Sequence, residues 1–410
     1  MIDSNQYTLA NGLRVIHNRN TSSQLAAVNL LYGVGSKNEN PGKTGLAHFL
    51  EHLMFTGTSN FPNFDSTLQA AGGESNAWTN CDFTNFYEVL PTVNLETALC
   101  LEADRMCGLA LTDDSFESQK SVVIEEFKQR CINKPYGDAS HLQLPLIYKV
   151  HPYRWPTIGM QVEDLEKTEK VDVQEFYHQF YSPKNAVLSI VCNLDSDEVF
   201  SLVEKWFSHI EGRVVAPKRI VEPKQTEFRS LTVQRKVPSR RIYRGYKMGG
   251  RLASDYPESD LLTDVLSTGR SSRFYQNIIS KGGVMSSIDA SISGTVDDGV
   301  LMINASLLPG VTFEQADMVI DREIESMLSN VSDYEIEKCV NKFESNHLFS
   351  NINIDECASN LSQYGWLGDA NMINTCIEQY RGITKKSFLE AATKVLDKSN
   401  CSELYFDIAN

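Results

Sequence analysis

The chain has 410 residues and a formal charge of −15, from 38 Lys+Arg against 53 Asp+Glu. With 41% hydrophobic and 22% charged residues it reads as two or three globular domains, which excludes a disordered, collagen-like or coiled-coil chain. The acidic balance argues against nucleic-acid binding, and no stretch approaches the roughly 20 apolar residues that cross a bilayer.

In chain order, Ala26–Tyr32 reads as a strand and 33–43 as a polar loop. A helix is expected over about 45–55, with apolar Leu46, Phe49, Leu50, Leu53 and Met54, ending at Thr56-Gly57. A second helix ends at Gly72-Gly73, and alternating strand segments run from Asn76 to Leu90. The order then repeats. Leu261–Ser267 is helical up to Thr268-Gly269, Phe274–Ile279 is helical up to Gly282-Gly283, and strands cover 284–308. Gly269 follows Gly57 by 212 residues, Gly283 follows Gly73 by 210, and Tyr334 follows Phe116 by 218. This spacing predicts a duplicated α+β chain: residues 1–212, a Pro-containing linker at 213–230, and a second repeat at 231–410.

The helix near residue 50 carries His48-Phe49-Leu50-Glu51-His52. Histidines at i and i+4 present both imidazoles from one helical face to a common point, which suits one tetrahedral zinc ion. Glu51 lies on nearly the same face, where it can act as general base on a water that the metal acidifies. The pattern is H-x-x-E-H, the inverse of H-E-x-x-H. Its apolar flanks imply that all three polar groups are partly buried, which is costly without a metal or partners. A third ligand is expected in the helical stretch Phe116–Phe127. Glu126 stacks over Val122, Val123 and Gln119, and Glu125 over Ser121 and Ser118. A carboxylate on the more apolar face wants a counter-charge, so Glu126 is favoured, with Glu125 the alternative. Gly42-Lys43-Thr44 is no phosphate loop, because Lys37 stands where that motif needs glycine.

These blocks, with Val122-Val123-Ile124-Glu125-Glu126, His151-Pro152-Tyr153, Phe176-Tyr177, Tyr181–Val187 and Ser271-Ser272-Arg273-Phe274, resemble the insulinase/pitrilysin family of zinc peptidases, the inverzincins. The length is similar to that of the two-repeat subunits typified by mitochondrial processing peptidase and its bacterial relatives. The resemblance implies two domains, each a mainly antiparallel sheet covered by helices. It implies His48, His52 and Glu126 as zinc ligands, Glu51 as base, and peptide pairing along Asn76-Ala77-Trp78.

Three positions depart from the family pattern. Gln119 stands where a second glutamate usually supports the site, and Ile279 and Ser286 stand where an Arg and a Tyr usually stabilise the tetrahedral intermediate. The expectation is therefore a zinc endopeptidase for unfolded peptides in a closed chamber, the metal-bearing half of a heterodimer whose homologous subunit supplies Arg and Tyr; a homodimer with other donors is the alternative assembly, and a non-catalytic processing-peptidase-like assembly subunit is the alternative function. In the second repeat Asp260, Thr263 and Asp264 replace the motif residues, so one zinc per chain is expected. Nine scattered cysteines without a C-x-x-C pair, and an N-terminus without a signal-peptide pattern, suggest a cytoplasmic protein.

Overall fold

A computed structural model describes residues 1–216 and 220–409. In chain order the elements are β1 (Asn5–Thr8), β2 (Arg14–Arg19), β3 (Leu25–Tyr32), α1 (Leu46–Leu53), α2 (Phe64–Ala70), β4 (Glu74–Thr79), β5 (Thr84–Pro91), α3 (Leu95–Cys107) and α4 (Asp113–Phe127). They continue with α5 (Ala139–Ile147), α6 (Val162–Glu166), α7 (Lys170–Phe180), β6 (Ala186–Cys192) and α8 (Ser196–Phe207). The later half holds β7 (Arg229–Arg235), β8 (Arg241–Met248), α9 (Tyr256–Ser267), β9 (Met285–Ile292), β10 (Gly299–Leu307), α10 (Phe313–Asn330) and α11 (Asp333–Ser350). It ends with α12 (Ile354–Leu367), α13 (Met372–Arg381), α14 (Lys385–Val395) and β11 (Cys401–Ile408). Of the predicted linker, residues 217–219 lie outside the described residues, 213–216 and 220–228 form neither helix nor strand, and 229–230 already belong to β7.

Two sheets follow from these strands. The first has the order β1-β2-β6-β3-β5-β4 and the second β7-β11-β8-β10-β9. Leaving β1 aside, the two orders are the same: β2, β6, β3, β5 and β4 correspond to β7, β11, β8, β10 and β9. In each, one pair is parallel (β2 with β6, β7 with β11) and the rest are antiparallel. The duplication expected from the glycine spacing is thus a duplicated α+β topology. Gly57 and Gly269 both adopt left-handed backbone at the stops that suggested the repeat. The helical stretch expected at 274–279 is present, with Tyr275–Ile279 wound as a wider π-type turn.

The chain divides into two units that are not contiguous in sequence. One comprises Met1–Lys128, Trp155–Arg219 and His347–Cys376; the other comprises Gln129–Arg154, Ile220–Asn346 and Ile377–Asn410. In the first unit β6 (AVLSIVC) is buried along its whole length, because helices cover both faces of the sheet. One face packs on the core that includes Phe49, Leu50, Leu53, Leu99, Val199 and Val203. The other face packs Ile16, Ala27, Val187 and Val191 against Cys357, Ala358 and Leu361 of α12. The second unit repeats this plan, with a core from β8, α9, β10, α10 and α14 on one face and α5 against Leu404 and Phe406 on the other. Among the described residues, no helix is long and apolar enough to cross a membrane.

Candidate metal centre

α1 starts at Gly45, whose φ of 88° is left-handed, and a Cβ there would lie 2.8 Å from the Ile158 carbonyl oxygen. Only glycine fits this turn into the helix. The first-turn N–H groups have no partners within the helix, and Glu39 takes two of them. Its Oε2 accepts from the Gly45 N–H and its Oε1 from the Ala47 N–H, both at 2.9 Å. Burial pushes the Glu39 carboxyl up to about 8, against the opposing pull of those donors. Leu46, Ala47, Phe49, Leu50 and Leu53 bury one face of α1, and His48, Glu51 and His52 occupy the half-buried opposite face.

α4 brings the third group. Thr112 caps its N-terminus by accepting from the Ser115 N–H, and Phe116, Val123 and Phe127 anchor its buried stripe. Glu126 Oε2 then lies 3.8 Å from His48 Nε2 and 3.5 Å from His52 Nε2. One ligand atom from each of the three residues lies within 4.8 Å of the others. Two imidazoles and a carboxylate in this arrangement match the donor set of a catalytic zinc, which keeps its fourth position open. Among the described residues no other group of three His, Cys, Asp or Glu side chains converges in this way.

Glu125 points elsewhere: its side chain is 61% exposed, against 20% for Glu126, and pairs with Lys128 at 2.6 Å. Val122 is 47% exposed, so of the two valines beneath Glu126 only Val123 belongs to the core. Gln119 is half-buried two turns before Glu126.

Glu51 is held from the sheet, because Thr79 Oγ1 at the end of β4 donates to its Oε2 at 2.5 Å. β4 is an edge strand. Side-chain alternation puts Ala77 and Thr79 on one face, with Ala77 packed on the core that contains α1, and puts Asn76 and Trp78 on the other. The Ala77 N–H is taken by Asn76 Oδ1 at 2.8 Å. In the second repeat the motif positions have other partners: Asp260 accepts from the Tyr380 hydroxyl, and Asp264 pairs with Lys342 at 3.4 Å. Ile279 packs against the second core, and the Ser286 hydroxyl donates to the Ser306 carbonyl at 3.3 Å. Glu39 and Thr79 were not found from sequence. The only signal for Glu39 was an acidic residue six positions before a helix-opening glycine, and for Thr79 its alternation with Ala77 along a strand.

Two family models match the chain: "Insulinase (Peptidase family M16)" over residues 14–136 and "Peptidase M16 inactive domain" over residues 169–343. The chain belongs to peptidase family M16. A relative from Helicobacter pylori named zinc protease PqqE is 32% identical over 336 residues, 80% of this chain and 74% of the relative. The uncharacterized zinc protease YmxG of Bacillus subtilis is 27% identical over 73% of this M16 chain and 72% of its own length. A crystal structure of a protease from Helicobacter pylori superposes with a TM-score of 0.94 at 26% identity, covering 99% of this chain and 100% of that one.

Proposed function

We propose that this M16 chain is a zinc-dependent endopeptidase that cuts unfolded peptides. The observation that carries the reading is the convergence of His48 and His52 of α1 with Glu126 of α4, beside Glu51 of α1. The words "inactive domain" attach to residues 169–343, a range that contains none of these four residues. His48, His52 and Glu126 would hold one zinc per chain. When bound, the ion supplies Lewis-acid chemistry, polarising a peptide carbonyl and acidifying water. Glu51 takes the proton of the attacking water and returns it to the leaving amine nitrogen. The open edge of β4 pairs with an extended peptide through main-chain hydrogen bonds, which tolerates many sequences. Binding there requires Asn76 Oδ1 to give up the Ala77 N–H and frees the Asn76 amide for the substrate.

We further propose that a homologous subunit closes the chamber and supplies an Arg and a Tyr to the oxyanion, since Ile279 has no polar donor and the Ser286 hydroxyl already donates to the Ser306 carbonyl. The test is cleavage of an unstructured peptide by the zinc-loaded chain and by Glu51→Gln. The variant is expected to keep its zinc and its fold and to lose about 10²–10⁴-fold in rate. Cleavage near the wild-type rate with zinc still bound would remove Glu51 from the mechanism.

A further inference from the structure

Glu51 sits on a helix, and its carboxylate can rotate unless something outside the helix holds it. The structure supplies that hold from the edge strand. Thr79 Oγ1 is 2.5 Å from Glu51 Oε2 and 3.5 Å from Thr84 Oγ1. A threonine hydroxyl has one proton to donate, and the closer, charged acceptor takes it. Thr84 cannot compete for the carboxylate from behind. It is fully buried, its own proton goes to the Val34 carbonyl at 3.0 Å, and it accepts from the Tyr181 hydroxyl at 3.3 Å. The turn that follows Thr79 is also fixed. Asn80 Oδ1 accepts from the Asp82 and Phe83 N–H groups, the Asn80 and Cys81 carbonyls accept from the Ser36 and Lys37 N–H groups, and Lys37 pairs with Asp82 at 2.6 Å. Thr79 is therefore held on both sides before it touches Glu51.

We infer that Thr79 is a positioning residue, whose hydroxyl fixes the plane of the Glu51 carboxylate and ties the base to the strand along which the peptide would lie. The inference rests on the proposed role of Glu51. Ala77 and Thr79 are two residues apart on one strand, so a peptide paired at Ala77 is placed relative to the base by the same backbone that holds the base. A general base works only within hydrogen-bond reach of its proton, and small misplacements of reacting groups cost about 10²-fold.

The test compares Thr79→Val, which keeps the shape and removes the donor, with Thr79→Ser, which keeps the donor. Thr79→Ala takes the place of the valine variant if that chain does not fold. Thr79→Val is expected to keep zinc affinity and KM while kcat falls about 10–100-fold, and Thr79→Ser to recover most of it. A merely structural Thr79 would loosen β4 and raise KM, and serine would not rescue kcat. A second readout needs neither metal nor turnover: unfolding of the metal-free chain in a double-mutant cycle of Thr79→Val and Glu51→Ala, where the two effects are expected to be non-additive. Additive effects in the cycle, full kcat in Thr79→Val, or a serine variant no better than valine would each overturn the inference. Failure of the underlying reading looks different, since Glu51→Gln would then remain active.

Discussion

The assignment of the third ligand to Glu126 rather than Glu125 can be tested by two neighbouring substitutions of the same chemistry. Glu125→Gln removes one partner of an exposed i,i+3 pair with Lys128, and such pairs contribute about 0.2–0.5 kcal/mol. It should leave zinc binding unchanged. Glu126→Gln removes a carboxylate oxygen that lies 3.5 and 3.8 Å from the two imidazole nitrogens. Changing a group that only supports a ligand costs about 10–100-fold in metal affinity. Losing one of three direct ligands should therefore cost more than about 100-fold, or at least about 2.8 kcal/mol at 1.4 kcal/mol per factor of ten. The assay is competition with a chelator of known zinc affinity, with denaturant unfolding of the metal-free chains as a control for fold. Wild-type affinity in Glu126→Gln together with loss in Glu125→Gln would move the ligand by one residue. Wild-type affinity in both would remove α4 from the coordination.

Arg105 is fully buried, pairs with Glu88 at 3.3 Å and with Glu102, and lies 4.2–5.5 Å from the rings of Phe55, Phe64 and Phe86; Arg105→Met should strand two buried carboxylates and cost about 3–5 kcal/mol in denaturant unfolding, and a loss below 1 kcal/mol would contradict this. Glu39, pushed up to about 8 by burial, keeps its proton in the folded chain after the unfolded chain has lost it, so its stabilising contribution is full below about pH 4.5 and is lost as pH rises to about 8. Relative to Glu39→Gln, the native chain should lose up to about 1.4 kcal/mol per pH unit across that window, and a flat difference between the two unfolding curves would refute it. Ile279→Arg with Ser286→Tyr should raise peptide cleavage by the lone chain if a second subunit normally supplies these donors; full activity of the unmodified chain alone, unchanged by a homologous partner, would reject the split site.

The approach of His48 to His52 was legible because it is local to one helix, whereas Glu126 is brought in by a second helix, α4. His48 and His52 are one helical turn apart, and the apolar residues between and around them settle which face is buried. The duplicated topology was legible from the stops Gly57 and Gly269, where left-handed backbone makes glycine the economical residue. What escaped depends on contacts distant in sequence. Thr79 meets Glu51 across 28 positions, and only the packing of α1 on the face shared by Ala77 and Thr79 decides that they touch. Glu39 reads as an ordinary loop glutamate until the chain folds over it and turns it toward the start of α1. The apolar face assigned to α4 failed at Val122, because a periodic pattern marks the side of a helix that can be buried and not how far the neighbouring elements extend over it.

The same distant packing makes the first sheet depend on the later half of the chain. β3 and β6 are apolar on both faces, as strands are when helices lie above and below them. On the face away from α1, Ile16, Ala27, Val187 and Val191 are buried against Cys357, Ala358 and Leu361, which belong to the later half of the chain. Polar ties register that helix on the sheet: Asn29 Nδ2 donates to Ser362 Oγ at 2.7 Å, and the Ser189 hydroxyl donates to the Ala358 carbonyl. Burying a valine or isoleucine side chain contributes about 1.5–3 kcal/mol. Ile16, Val187 and Val191 together then account for roughly 5–9 kcal/mol, which is of the order of a whole domain's net stability of about 5–15 kcal/mol. A chain ending at residue 212 would lack α12 and expose this face. The sheet beneath α1 is thus completed by residues 347–376, so the later half of the chain lends the first unit a helix that covers one whole face of its sheet.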